Sequence, residues 1–101
     1  MILTIDEIKK KIRPICEKYR VVKLFLFGSY ARGEATEESD VDFHMVAPKG
    51  MGLFKMAGFR LDLEELLDKE VDLISRLSED CYIFKDAVER DEILLYESGQ
   101  A

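Results

Sequence analysis

Residues Gly28 to Asp42 read GSYARGEATEESDVD, and the rest of the chain is organised around them. The stretch follows Val21 to Phe27 (VVKLFLF), a β-branched and aromatic run that reads as a first strand. It leads into Val41 to Ala47 (VDFHMVA), a second strand that Pro48 ends. Between them, Ser29 to Gly33 reads as a short polar turn or single helical turn, and EATEES as a loop. A strand that stops at Gly28-Ser29 leaves backbone N–H groups without partners. That turn is a cradle for phosphate, in which glycine permits close approach and the hydroxyl adds a donor. Arg32 lies one helical turn beyond Ser29. It is placed either to reach a phosphate oxygen or to pair with Glu34 or Glu37.

Asp40 and Asp42 alternate with Val41 and Phe43, so both carboxylates project from one face. At strand rise their Cα atoms lie ~6.6 Å apart. That spacing suits two carboxylates gripping a pair of divalent cations about 3.5–4 Å apart. The short connection permits the two strands to be antiparallel neighbours, which puts Gly28-Ser29 beside Asp40 and Asp42.

Outward from this hairpin, Thr4 to Tyr19 reads as an amphipathic helix. Thr4 and Glu7 form a capping box, Ile5, Ile8, Ile12, Ile15 and Cys16 recur at helical spacing, and Pro14 predicts a kink or restart. Leu53 to Lys69 reads as a second long helix with Phe54, Ala57, Leu61, Leu66 and Leu67 on its apolar stripe. Val71 to Ser75 (VDLIS) is a third strand, parallel to the second because a helix crosses between them. Its Asp72 is costly in an apolar strand unless something pairs with it, and matching strand starts place it level with Asp40 and Asp42. From about Glu79 to Tyr96 the pattern of Ile83, Phe84, Ala87, Val88, Leu94 and Leu95 is helical. The order αβ(turn)βαβα specifies an α/β (α+β) fold with a small sheet.

The chain has 101 residues, 48% apolar and 36% charged, which describes one domain over residues 1–101. A chain this small encloses no deep private site for a large second substrate, so part of that site is expected from a partner. A net charge of −6 argues against direct nucleic-acid binding, which a basic face dominates. Cys16 and Cys81 form no CxxC pair and read as reduced thiols of a cytoplasmic protein. No apolar run approaches a membrane span, and the N-terminus lacks the pattern of a signal peptide. His44 shares the face of Asp42 and reads as a packed or hydrogen-bonded side chain in preference to a ligand. Leu24 and Leu26 alternate with Phe25 and Phe27, a strand apolar on both faces, so a partner or second copy is expected to cover one side.

Three carboxylates beside a phosphate cradle are what nucleotidyl transfer requires. Hard oxygen ligands select magnesium or manganese, and Asp72 is placed to help deprotonate the nucleophile. Gly28-Ser29, ten residues, Asp40-Val41-Asp42 and a later strand aspartate together resemble the nucleotidyltransferase superfamily of DNA polymerase β. The GSYARG and SDVD wording and the short chain resemble its minimal nucleotidyltransferase (MNT) branch. That resemblance implies a mixed three- or four-stranded sheet, Mg²⁺ (or Mn²⁺) at Asp40, Asp42 and Asp72, and ATP as donor. It also implies a HEPN-domain toxin as partner, neutralised by transfer of AMP to a tyrosine. The alternatives are a non-catalytic antitoxin that neutralises by stoichiometric binding, and transfer to a small-molecule hydroxyl.

Overall fold

The computed structural model describes residues 2–76 and 92–98. Seven elements follow in order: α1 (Ile5–Tyr19), β1 (Lys23–Phe27), α2 (Gly28–Arg32), β2 (Val41–Val46), α3 (Leu53–Leu67), β3 (Val71–Arg76) and β4 (Ile93–Glu97). The sheet order is β3-β2-β1-β4, with β2 and β3 parallel and β1 antiparallel to both its neighbours. It is the expected small mixed sheet, four strands wide.

Alternation divides the sheet cleanly. Leu24 and Leu26 of β1, Val41, Phe43 and Met45 of β2, and Val71 of β3 are buried on one face. Ile8, Ile12 and Cys16 of α1 and Phe59, Leu63 and Leu67 of α3 cover that face. The opposite face carries Phe25 and Phe27, Asp42 and His44, and Asp72 and Ile74 in register across three strands. Phe25 and Phe27 are half-buried there.

α1 starts as its sequence dictates. Thr4 Oγ1 accepts from Glu7 N at 3.1 Å, and Glu7 Oε1 accepts from Thr4 N at 3.1 Å. The helix runs on through Pro14 and does not restart there. Pro14 is exposed, so water can satisfy the carbonyl that its missing N–H leaves unpaired. Burial pushes the Cys16 thiol up to about 12, which keeps it an inert core thiol. Cys81 lies outside the described residues.

Two expectations need correction. The buried stripe of α3 is Phe59, Leu63 and Leu67, whereas Phe54 is 95% exposed, Leu61 58% and Leu66 37%. This helix carries apolar residues all round, so spacing alone does not say which side the sheet takes. Tyr19 of α1 settles it, donating to Asp62 Oδ2 at 2.8 Å and meeting the Phe59 ring edge-on at 5.4 Å. The second correction is Ile93–Glu97, which is a strand and not the end of a helix. Its ILLYE run pairs with β1 through a bulge between Leu24 and Phe25, and that long-range ladder overrides local helical spacing. The other positions of the expected last helix, Ile83, Phe84, Ala87 and Val88, lie outside the described residues.

Candidate active site

β1 ends at Phe27 and α2 begins at once with Gly28, whose φ of +75° a side chain would strain. Gly33, also at φ +75°, ends the helix after Arg32. Tyr30 anchors this single turn, 3% exposed, with its hydroxyl buried and without a hydrogen-bond partner among the described residues. The first N–H groups of α2 have no carbonyl one turn earlier to bond, as at any helix start. They stand at the end of β1 where Phe27 pairs with Asp42.

Asp42 is the centre of the site. In register it faces Phe27 on one side and Asp72 on the other. A Cβ placed on Gly28 would come 3.1 Å from Asp42 Cγ, closer than neighbouring atoms tolerate. Only a glycine lets the strand end and this carboxylate approach so nearly. The Asp42 carboxyl is pushed up to about 6. Burial is the largest cause, followed by its hydrogen bond to Asp72 and the charges of Asp72 and Asp40, with Arg32 opposing.

Asp40 precedes β2 and is exposed, as is Asp72. The described residues hold no closed cage of three acids or histidines. What they hold is the Asp42–Asp72 pair, with Asp40 acting on it through its charge. Crowded carboxylates that raise the proton affinity of Asp42, next to a cradle that a Cβ would fill, are a donor set that fits a hard divalent cation.

Arg32 makes the expected pair with Glu34. Its Nε lies 3.4 Å from Glu34 Oε1, and its charge also reaches Asp42. His44 is 4% exposed, packs against the Phe25 ring at 5.9 Å and places Nδ1 3.5 Å from Glu92 Oε2. It is a packed side chain, as expected.

Sequence reasoning missed the residues that fix the acids in place. Arg60 Nε donates to the Val71 carbonyl at 2.9 Å, and Glu64 Oε2 accepts from Val71 N at 3.0 Å. Both atoms that Val71 turns away from β2 are thereby held by α3, one residue before Asp72. Lys69 Nζ donates to the Glu37 carbonyl at 3.0 Å and ties the loop before Asp40 to the end of α3. Each looks like an ordinary solvated helix charge in the sequence, because its partner is backbone brought there by the fold.

Residues 8–96 match the model of the nucleotidyltransferase domain family. A Methanocaldococcus jannaschii protein assigned as a protein adenylyltransferase is 36% identical over 91% of this chain and 98% of its own length. The protein adenylyltransferase MntA of Thermococcus cleftensis is 39% identical over 75% of this chain and 81% of its own. Among solved structures, a tri-AMPylated HEPN toxin in complex with MNT antitoxin from Shewanella oneidensis aligns with a TM-score of 0.70 at 20% identity. The alignment covers 94% of this chain and 74% of that one.

Proposed function

This chain belongs to the nucleotidyltransferase domain family, and from that premise we propose that it transfers AMP from ATP to a tyrosine hydroxyl of a HEPN-domain toxin, acting as the cytoplasmic antitoxin. Residues 1–101 are read as one such domain. The observation that carries the reading is the pairing of Asp42 with Asp72 in parallel register beside Gly28. The names of the two relatives and the Shewanella complex support the acceptor and the partner.

Asp40, Asp42 and Asp72 would hold magnesium or manganese, which when bound neutralises phosphate charge and acidifies the attacking hydroxyl. The N–H groups at Gly28-Ser29, the Ser29 hydroxyl and Arg32 hold the phosphates that leave. The tyrosine oxygen forms a bond to the α-phosphorus as the bond from that phosphorus to the bridging oxygen breaks. Pyrophosphate departs with that electron pair. The phenolic proton passes to the Asp72 carboxylate and from there to water.

The test is incubation with α-phosphate-labelled ATP, Mg²⁺ and a HEPN-domain protein, alongside the Asp40→Asn/Asp42→Asn double variant. Label on the HEPN protein that vanishes with the variant is the expected result. Neutralisation that survives without label transfer would overturn it.

A further inference from the structure

α3 is apolar on two sides, and the sheet uses one of them. At about 3.6 residues per turn, Phe54, Ala57 and Leu61 share one side of the helix, opposite the Phe59, Leu63 and Leu67 that pack on the sheet. The stripe that reads as core in the sequence therefore exists, but it faces outward. Phe54 is 95% exposed, Leu53 beside it 83% and Leu61 58%, and Ala57 is exposed as well. A helix with apolar residues all round is one that is covered on both sides. Single exposed apolar side chains are ordinary, whereas a phenylalanine and two leucines along two turns of one helix make a patch.

The charges along this face are sorted by position. Lys49 precedes α3, and Lys55 lies in its first turn, which contains no acid. Asp62 and Glu65 lie toward its end. Lys49, Lys55 and Glu65 make no ion pair among the described residues. Asp62 accepts from Lys18 and Tyr19 of its own chain. The helix dipole has the same polarity, positive at the start and negative at the end. A face that is cationic at one end and anionic at the other is complementary to its own reverse.

We propose that a second copy of this chain covers the patch, with the two α3 helices antiparallel about a twofold axis between Ala57 and Gly58. The proposal goes beyond adenylyl transfer and does not depend on it. That axis sets Phe54 of each copy level with Leu61 of the other, so the most exposed ring meets a large apolar side chain. Ala57 and Gly58 are small and stand at the crossing, where the two backbones come nearest. The cationic start of each helix runs along the anionic end of the other, Lys55 toward Asp62 and Lys49 toward Glu65. A parallel pair would set like charges together. α3 lies on the sheet face opposite to Asp42 and Asp72, so this pairing does not cover those acids. One helix face is at the small end of interfaces, which corresponds to a Kd of about 10 µM.

Sedimentation equilibrium of the full chain tests the association, with monomer expected at about 1 µM and dimer at about 200 µM. Phe54→Asp and Leu61→Asp should each raise the Kd at least about tenfold. Ile2→Asp, which changes an exposed apolar residue outside α3, should leave it unchanged. Orientation is read by disulfide formation under oxidation in a Cys81→Ser background. Ala57→Cys should link two copies. Glu65→Cys should not, because the antiparallel arrangement separates the two Glu65 positions by about 22 Å along the helix axis. A monomer at about 200 µM, or a dimer indifferent to Phe54→Asp, would overturn the proposal. So would a link through Glu65→Cys that forms as readily as the one through Ala57→Cys.

Discussion

Asp42 and Asp72 sit directly opposite one another on adjacent parallel strands, and Asp72 makes the half-buried Asp42 harder to ionise. That cost falls on the metal-free protein. The carboxyl of Asp42 titrates near 3.8 when unstructured and at about 6 in the fold. Because its folded value is raised, the stability it contributes is complete below about 3.8 and is lost as pH rises through about 6. Thermal melts of protein in chelator should therefore fall in Tm between pH 4.5 and 7. Millimolar Mg²⁺ should raise Tm more at pH 7.5 than at pH 5. A magnesium shift that is the same at both pH values would contradict the carboxylate pair as its site.

Gly28 predicts a separation of activity from stability. Gly28→Ala and Gly50→Ala both force a side chain into positive φ, at a cost of about 1–2 kcal/mol. Only at Gly28 does the new methyl meet Asp42, whereas at Gly50 none of the described residues lies within 4 Å of it. Nucleotidyl transfer should drop at least a hundredfold in Gly28→Ala and stay near wild type in Gly50→Ala. Comparable activity in the two would remove Gly28 from the site.

The grip of α3 on Val71 is a positioning device for the adjacent Asp72. Arg60→Met and Glu64→Met each release one backbone atom of Val71 while leaving all three acids in the chain. Mg²⁺ affinity, read by titration calorimetry, should weaken about 10–100-fold, as when partners behind metal ligands are lost. A fall in melting temperature with Mg²⁺ affinity unchanged would show these contacts to be structural alone.

Phe54 and Phe59 lie five residues apart on one helix and should respond oppositely to truncation. Phe59→Ala empties a fully buried position and should cost about 3–5 kcal/mol in denaturant unfolding. Phe54→Ala removes an exposed ring and should change stability by less than about 0.5 kcal/mol. Similar losses at both sites would put the wrong face of α3 against the sheet.

That last contrast marks where reading the sequence stopped. β1, β2 and β3 were recoverable because their alternation and their glycine or proline ends are local. The site followed from them, since Gly28, Asp40 and Asp42 occupy one hairpin and the crossover rule brings Asp72 alongside. The face of α3 was not recoverable, because Phe54 and Leu61 are as apolar as Phe59 and Leu63. Nor was β4, whose strand conformation depends on β1 about seventy residues away. Arg60, Glu64 and Lys69 escaped notice because their targets are main-chain atoms, which no side-chain pattern announces.

The hairpin has a bearing on how the molecule comes into being. Its two strands close over the short segment that itself contains the Gly28-Ser29 turn and Asp40, so loop-closure entropy favours it over every other pairing in the sheet. Asp72 arrives only with the α3 crossover, and β4 from farther still. Order of assembly should follow: in refolding, β1–β2 contacts gain protection from hydrogen exchange first, and the ability to bind Mg²⁺ appears as a distinct later phase, slowed by Arg60→Met. The chain would then acquire the end of the sheet that holds Gly28 and Asp42 before Asp72 arrives to complete the pair.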